Sequence, residues 1–177
     1  MALKKFLARR AILQNARQSE KRDRKIRPLK GARVGLLFMA ETAKERQEME
    51  QFRESLMREG AEVSALGFIP TKVFPPDLVF KPGFDYFNKK ETRWIKLAQN
   101  HVLQKFGGLD LDYLIGMFTD ENLLLLQFPA QNKKAFRVGP YLKDYASCFD
   151  FMIDTQGNSE IKNLMKLTEH YLKQLNA

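Results

Sequence analysis

A chain of 177 residues and 20.6 kDa, 44% apolar and 11% aromatic, holds enough material for one ordinary core, which excludes chain-wide disorder, a collagen-like fibre and a disulfide-stapled miniprotein. The lone Cys148 cannot form an internal disulfide or a redox pair, and the longest apolar run, Val34 to Ala40, is far short of the roughly 20 residues that span a bilayer. The net charge of +9 is confined to one end: residues 1–33 hold twelve Lys or Arg against Glu20 and Asp23, a net +10, whereas residues 34–177 hold eighteen against nineteen, a net −1.

Residues 1–30 read as a basic N-terminal helical arm. Ala, Leu, Lys, Arg and Gln dominate, and neither Gly nor Pro precedes Pro28, which predicts a helix from about Ala2 to Lys25. Leu3, Leu7 and Ala11 share one stripe, with Phe6 and Leu13 beside it. Charge imbalance at one end marks a segment that meets a polyanion. The first residues lack the apolar stretch and cleavage site of a secretory signal, so the expected location is the cytoplasm.

Residues 31–177 read as an α/β domain. Val34-Gly-Leu-Leu-Phe-Met predicts a strand covered on both faces, and Thr42-Ala-Lys-Glu45 is a capping box opening a helix with Met49, Phe52 and Leu56 on its buried side, ended by Gly60. Glu62 to Ile69 is the second strand. Pro70, Pro75, Pro76, Pro82 and Gly83 then break regular structure, so residues 70–91 are expected to form a Pro/aromatic-rich insert. A helix resumes near Thr92 and runs to Phe106. Asp112 to Phe118 is the third strand, Glu121 to Gln127 a short helix with Asp120 as its expected N-cap, Phe136 to Gly139 the fourth strand and Phe149 to Asp154 the fifth. A final helix covers Ser159 to Leu175. Five strands with interleaved helices predict a mostly parallel, doubly wound sheet of flavodoxin-like or Rossmannoid type, order 2-1-3-4-5, carrying the basic extension.

Ligands of such sheets bind at the carboxyl ends of the strands. The turn after the first strand has no glycine and puts Glu41 and Glu45 where a phosphate would sit, so a phosphate loop is rejected there. Glu41, Asp120, Glu121 and Asp154 would meet at this edge, and such carboxylates suit Mg²⁺; a metal-dependent enzyme or small-ligand domain is therefore one alternative. Each of the four has a plain job as a cap or first-turn acid. His101 and His170 have no motif partner, no catalytic residue is assigned, and no cofactor is expected.

Within the insert, Phe74, Phe80, Phe84, Tyr86, Phe87 and Trp94 alternate with Lys72, Lys81, Lys89, Lys90, Arg93 and Lys96, a mixture that can stack bases while neutralising phosphates. The leading expectation is a non-catalytic protein that binds RNA or the ribosome through Lys4, Lys5, Arg9, Arg10, Arg17, Lys21, Arg22, Arg24, Lys25 and Arg27, with Lys81, Tyr86, Lys89, Lys90 and Arg93 as a second contact. A secondary phosphate contact at Lys133, Lys134 and Arg137 fits the same reading. A further alternative is a protein-interaction module docking through Leu3, Phe6, Leu7 and Leu13.

Gly83-Phe-Asp-Tyr-Phe-Asn-Lys-Lys90, Asp112-Tyr-Leu-Ile, Phe136-Arg-Val-Gly139, Phe149-Asp-Phe-Met-Ile-Asp154 and the closing His170-Tyr-Leu occur in an order that resembles an uncharacterised conserved family known chiefly from Bacteroidota. The resemblance covers nearly the whole chain. It implies a cytoplasmic bacterial α/β domain and transfers no catalytic residue.

Overall fold

The computed structural model describes residues 2–19, 24–90 and 101–175. Six parallel strands form one sheet: β1 (Arg33–Met39), β2 (Glu62–Ile69), β3 (Phe84–Asn88), β4 (Tyr113–Met117), β5 (Phe136–Pro140) and β6 (Phe151–Ile153), in the order β3-β2-β1-β4-β5-β6. That is the strand order of the doubly wound dinucleotide-binding folds, and the architecture is Rossmann-like. The described helices are α1 (Ala2–Ser19), α2 (Ala43–Arg58), α3 (His101–Gly107), α4 (Leu123–Gln131) and α5 (Ile161–Leu175), with a 3₁₀ segment at Lys143–Cys148.

Five strands in the order 2-1-3-4-5 were expected, and the sixth comes from the segment read as an irregular insert. Prolines and Gly83 do break residues 70–83, but Phe84 to Asn88 then pairs with β2, Ala65 opposite Phe84 and Ile69 opposite Asn88. The alternation of Phe84 and Tyr86 on one face with Phe87 on the other marks it as a two-sided strand. Phe84 and Tyr86 pack edge-on to Phe38, while Phe87 lies 5.0 Å from Phe68 on the opposite face. The helix expected from Thr92 is described only from His101; its first part lies outside the described residues.

Two apolar layers sandwich the sheet. Met49, Phe52 and Leu56 of α2 and Leu164, Met165 and Leu172 of α5 cover one face. Leu103 and Phe106 of α3 join all of Leu123 to Leu126 and Phe128 of α4 on the other. The capping box of α2 forms as expected: Thr42 Oγ1 accepts the Glu45 N–H at 3.1 Å, and Glu45 Oε2 accepts the Thr42 N–H at 2.7 Å. At α4 the cap is Asn122 rather than Asp120, its Oδ1 accepting from Leu124 N and Leu125 N, both at 3.1 Å.

The larger correction concerns the leader. No free basic extension is present: α1 lies along α4 and the 3₁₀ segment as an extra helix outside the α4 layer. The cause is α4 itself. Leu-Leu-Leu-Leu-Gln-Phe-Pro-Ala is buried from Leu123 to Ala130, and a helix that is apolar all round must be covered on every side. Ala8, Ile12, Ala16 and Ser19, at successive helical repeats, make the contact. Of the set expected to dock on a partner, Leu3, Phe6 and Leu7 face outward, whereas Leu13 is partly buried against this layer. Beyond α1, Arg27 is fixed by Tyr113 of β4, whose hydroxyl accepts the Arg27 N–H at 3.1 Å and donates to the Arg27 carbonyl.

Candidate functional site

Two charged concavities lie at opposite ends of the strands. The first is the crevice at the carboxyl ends, where the chain crosses from β1 to β4 and the direction of strand addition reverses. A cavity of about 360 Å³ there is lined by Met39, Met117 and Phe118 with Glu41, Glu45, Asp120 and Glu121. Glu45 is engaged with Thr42, and Arg46 Nη1 donates to the carbonyls of Ala40 at 3.0 Å and Glu41 at 3.1 Å. Glu121 lies 3.4 Å from Lys5 of α1. Three of the four carboxylates expected at this edge share the crevice, while Asp154 accepts the Gln156 N–H at 2.8 Å and is not among the described lining residues. Among the described residues, no group of three or more His, Cys, Asp or Glu is placed to hold a metal ion. A phosphate entering this crevice meets carboxylates, the wrong sign for a nucleotide.

The second region is the amino edge. A cavity of about 380 Å³ is lined by Arg24, Lys25, Arg27, Arg33, Lys133 and Lys134, with Asp110 and Asp112 as its acidic members. Three parts of the chain build it: the segment leaving α1, the first residue of β1 with the turn before β4, and the turn after α4. That turn is shaped by Asn132, whose Oδ1 accepts from Lys134 N at 3.0 Å and Ala135 N at 2.8 Å, so Lys133 and Lys134 are held outward. Arg33 reaches Asp110 at 2.9 Å, Arg27 lies 3.4 Å from Asp112, and Lys134 lies 3.5 Å from Asp110. The Arg33 guanidinium holds the Asp110 carboxyl below the usual carboxylate range, and Asp110 in turn raises Arg33. Among the described residues Lys25 and Lys133 make no ion pair, and cations outnumber carboxylates by six to two around the cavity.

The cations expected to grip a polyanion divide into groups. Lys5, Arg9, Arg24 and Arg27 pair with Glu121, Asp144, Asp150 and Asp112 of the body. Lys4, Arg10, Arg17 and Lys25 are exposed, with no ion pair among the described residues. Lys21, Arg22, Arg93, Trp94 and Lys96 lie outside the described residues. In the second expected contact, Lys81 is held by Glu50 at 2.6 and 2.7 Å, Lys89 and Lys90 are exposed, and Tyr86 is buried with its ring stacked on Phe84. Burial raises the Tyr86 phenol above its ordinary value. Phe84, Tyr86 and Phe87 are thus core residues, not a platform for bases.

Arg137, read from sequence as a strand-edge charge open to phosphate, is fully buried instead. Its Nε and Nη2 donate to Asp150 at 3.0 and 2.9 Å, and its Nη1 donates to Ser19 Oγ at 3.1 Å and the Pro129 carbonyl at 3.0 Å. Arg24 donates to the same Asp150 at 2.5 Å and to the carbonyls of Ser19 and Asn132. These groups close the carboxyl end of α4, where the helix dipole favours cations. The network holds the α1 terminus, and with it the entry to Lys25 and Arg27, against Lys133 and Lys134. The signal is a single Arg inside the apolar strand Phe-Arg-Val-Gly and an Asp between Phe149 and Phe151, at the entry to β6.

No curated protein matches the chain. Residues 4–175 match Family of unknown function (DUF6913), and over that span, nearly its whole length, the chain belongs to this family.

Proposed function

We propose that this protein is a non-catalytic RNA-binding protein of the cytoplasm that holds structured RNA, the ribosome being the fitting setting, through the cations of its amino edge. The observation that carries the reading is the cavity where Lys25, Arg27 and Arg33 meet Lys133 and Lys134 with only Asp110 and Asp112 opposing them. With Arg24 turned inward to Asp150, five cations over two carboxylates leave a surface whose field is unbalanced, and phosphate contacts of this kind supply affinity without reading bases. The leader serves this surface differently from a loose arm. It is bolted to α4, and its last residues deliver Lys25 and Arg27 to a fixed place beside the two lysines.

The test is a fluorescence titration of the full chain with a folded RNA at several salt concentrations. With about four phosphates engaged, affinity should fall on the order of 50-fold or more from 50 to 200 mM salt. Affinity that does not change with salt, or no binding at low salt, would remove the reading.

A further inference from the structure

Helix α1 has two faces of different chemistry. Ala8, Ile12, Ala16 and Ser19 are buried on α4, whereas Leu3, Phe6 and Leu7 on the other side of its first turns are 69%, 60% and 45% exposed. Residues 2–19 contain no Asp or Glu, and Lys4, Arg10 and Arg17 form no ion pair among the described residues. Leu3, Arg10 and Arg17 are spaced by seven residues, so they project from one side of the helix, each about 10 Å from the next along its axis.

Each half of this face restricts what can cover it. Phosphates of a nucleic acid would satisfy Arg10 and Arg17 but leave Leu3, Phe6 and Leu7 in water. A neutral apolar partner would bury the three and strand the cations. An anionic lipid surface answers both, because Leu and Phe enter the boundary between headgroups and acyl chains while Lys and Arg stay among the headgroup phosphates. We propose that the outward face of α1 docks on an anionic lipid surface, with Leu3, Phe6 and Leu7 inserted and Arg10 and Arg17 on the phosphates. The contact is peripheral; no described helix is long and apolar enough to cross a membrane. It uses different residues from the amino edge, so each can be lost without the other.

The experiment is co-sedimentation of the full chain with vesicles of phosphatidylcholine alone or mixed with phosphatidylglycerol. Mixed vesicles should carry the protein down and neutral ones should not. Leu3→Gln with Phe6→Gln, and separately Arg10→Gln with Arg17→Gln, should each weaken binding by about tenfold or more, since apolar insertion and charge both contribute. All four side chains are exposed, so the melting temperature should hold in both variants. Failure of the wild type to bind mixed vesicles, or undiminished binding by the Leu3 and Phe6 variant, would overturn the proposal. So would a dimer in light scattering that this variant abolishes, which would make the face a self-interface. RNA affinity should be unchanged in the same variant; a parallel loss would assign the face to RNA and overturn the lipid reading.

Discussion

Asp150 clamps Arg137 through two parallel bonds, Nε to Oδ2 at 3.0 Å and Nη2 to Oδ1 at 2.9 Å, while the same Oδ1 also takes Arg24 at 2.5 Å. One carboxylate therefore pairs with two guanidinium groups, of which Arg137 is wholly buried and Arg24 nearly so. Removing one partner of a buried pair strands a charge in a place water cannot reach. Asp150→Asn should lower unfolding free energy by about 3–5 kcal/mol in urea titrations. A loss below about 1 kcal/mol would mean that the network is wet and weakly coupled.

Because α1 is the cover of α4, its inward face should matter to stability and its outward face should not. Ile12→Ala is expected to cost about 2–4 kcal/mol and Leu3→Ala less than about 0.5 kcal/mol, read from denaturant midpoints. Deleting residues 1–19 would expose the apolar circumference of α4 and should yield an aggregating or molten chain by near-ultraviolet circular dichroism. A deleted chain that keeps the native spectrum would show that α1 is dispensable.

Burial pushes the Cys148 thiol up to about 12, in a setting where the side chain has no surface exposure. A thiol needs its thiolate form to react. Cys148 should therefore resist a disulfide reagent at neutral pH in the folded protein and react at once in denaturant, with a rate that tracks unfolding. Rapid labelling of the native chain would contradict this packing.

Much of the architecture is legible in the residues because it is local. The capping box Thr42/Glu45, the buried triplet Met49, Phe52 and Leu56 and the continuous run at Val34 each depend on neighbours within a few positions, and all three stand as read. What escaped depends on distant parts of the chain. Phe84 to Asn88 is a strand only because β2 offers it an edge, and no turn chemistry in a proline-rich stretch announces that. Charge counting was sound as arithmetic but blind to pairing, since Lys5, Arg9, Arg24 and Arg27 find their acids between 85 and 135 positions away, at Asp112, Glu121, Asp144 and Asp150. The amino-edge cavity is half legible: Lys133 and Lys134 stand out in the sequence as a phosphate contact, but nothing there places them beside Lys25.

At that cavity Asp110 opposes an incoming phosphate. Asp110→Asn should tighten RNA binding by about threefold, because one repulsive charge is removed and Arg33 is released. Arg33 holds the Asp110 carboxyl low, so the stabilising contribution of this pair is present above the unfolded carboxylate range and is lost only as pH falls through the lowered folded value. Chemical-shift titration of Asp110 should show the depressed midpoint rise toward the ordinary range in Arg33→Gln, with Lys134 still lowering it. An unchanged midpoint would show that the two groups do not interact in solution.

The amino edge as the RNA-gripping surface is tested most directly by comparing three chains against one folded RNA at fixed low salt: wild type, Lys25→Glu with Lys133→Glu, and Lys166→Glu on the opposite helix layer. The edge variant should bind about 30-fold or more weakly and the Lys166 variant like wild type. Equal losses in both variants, or none in the edge variant, would contradict it.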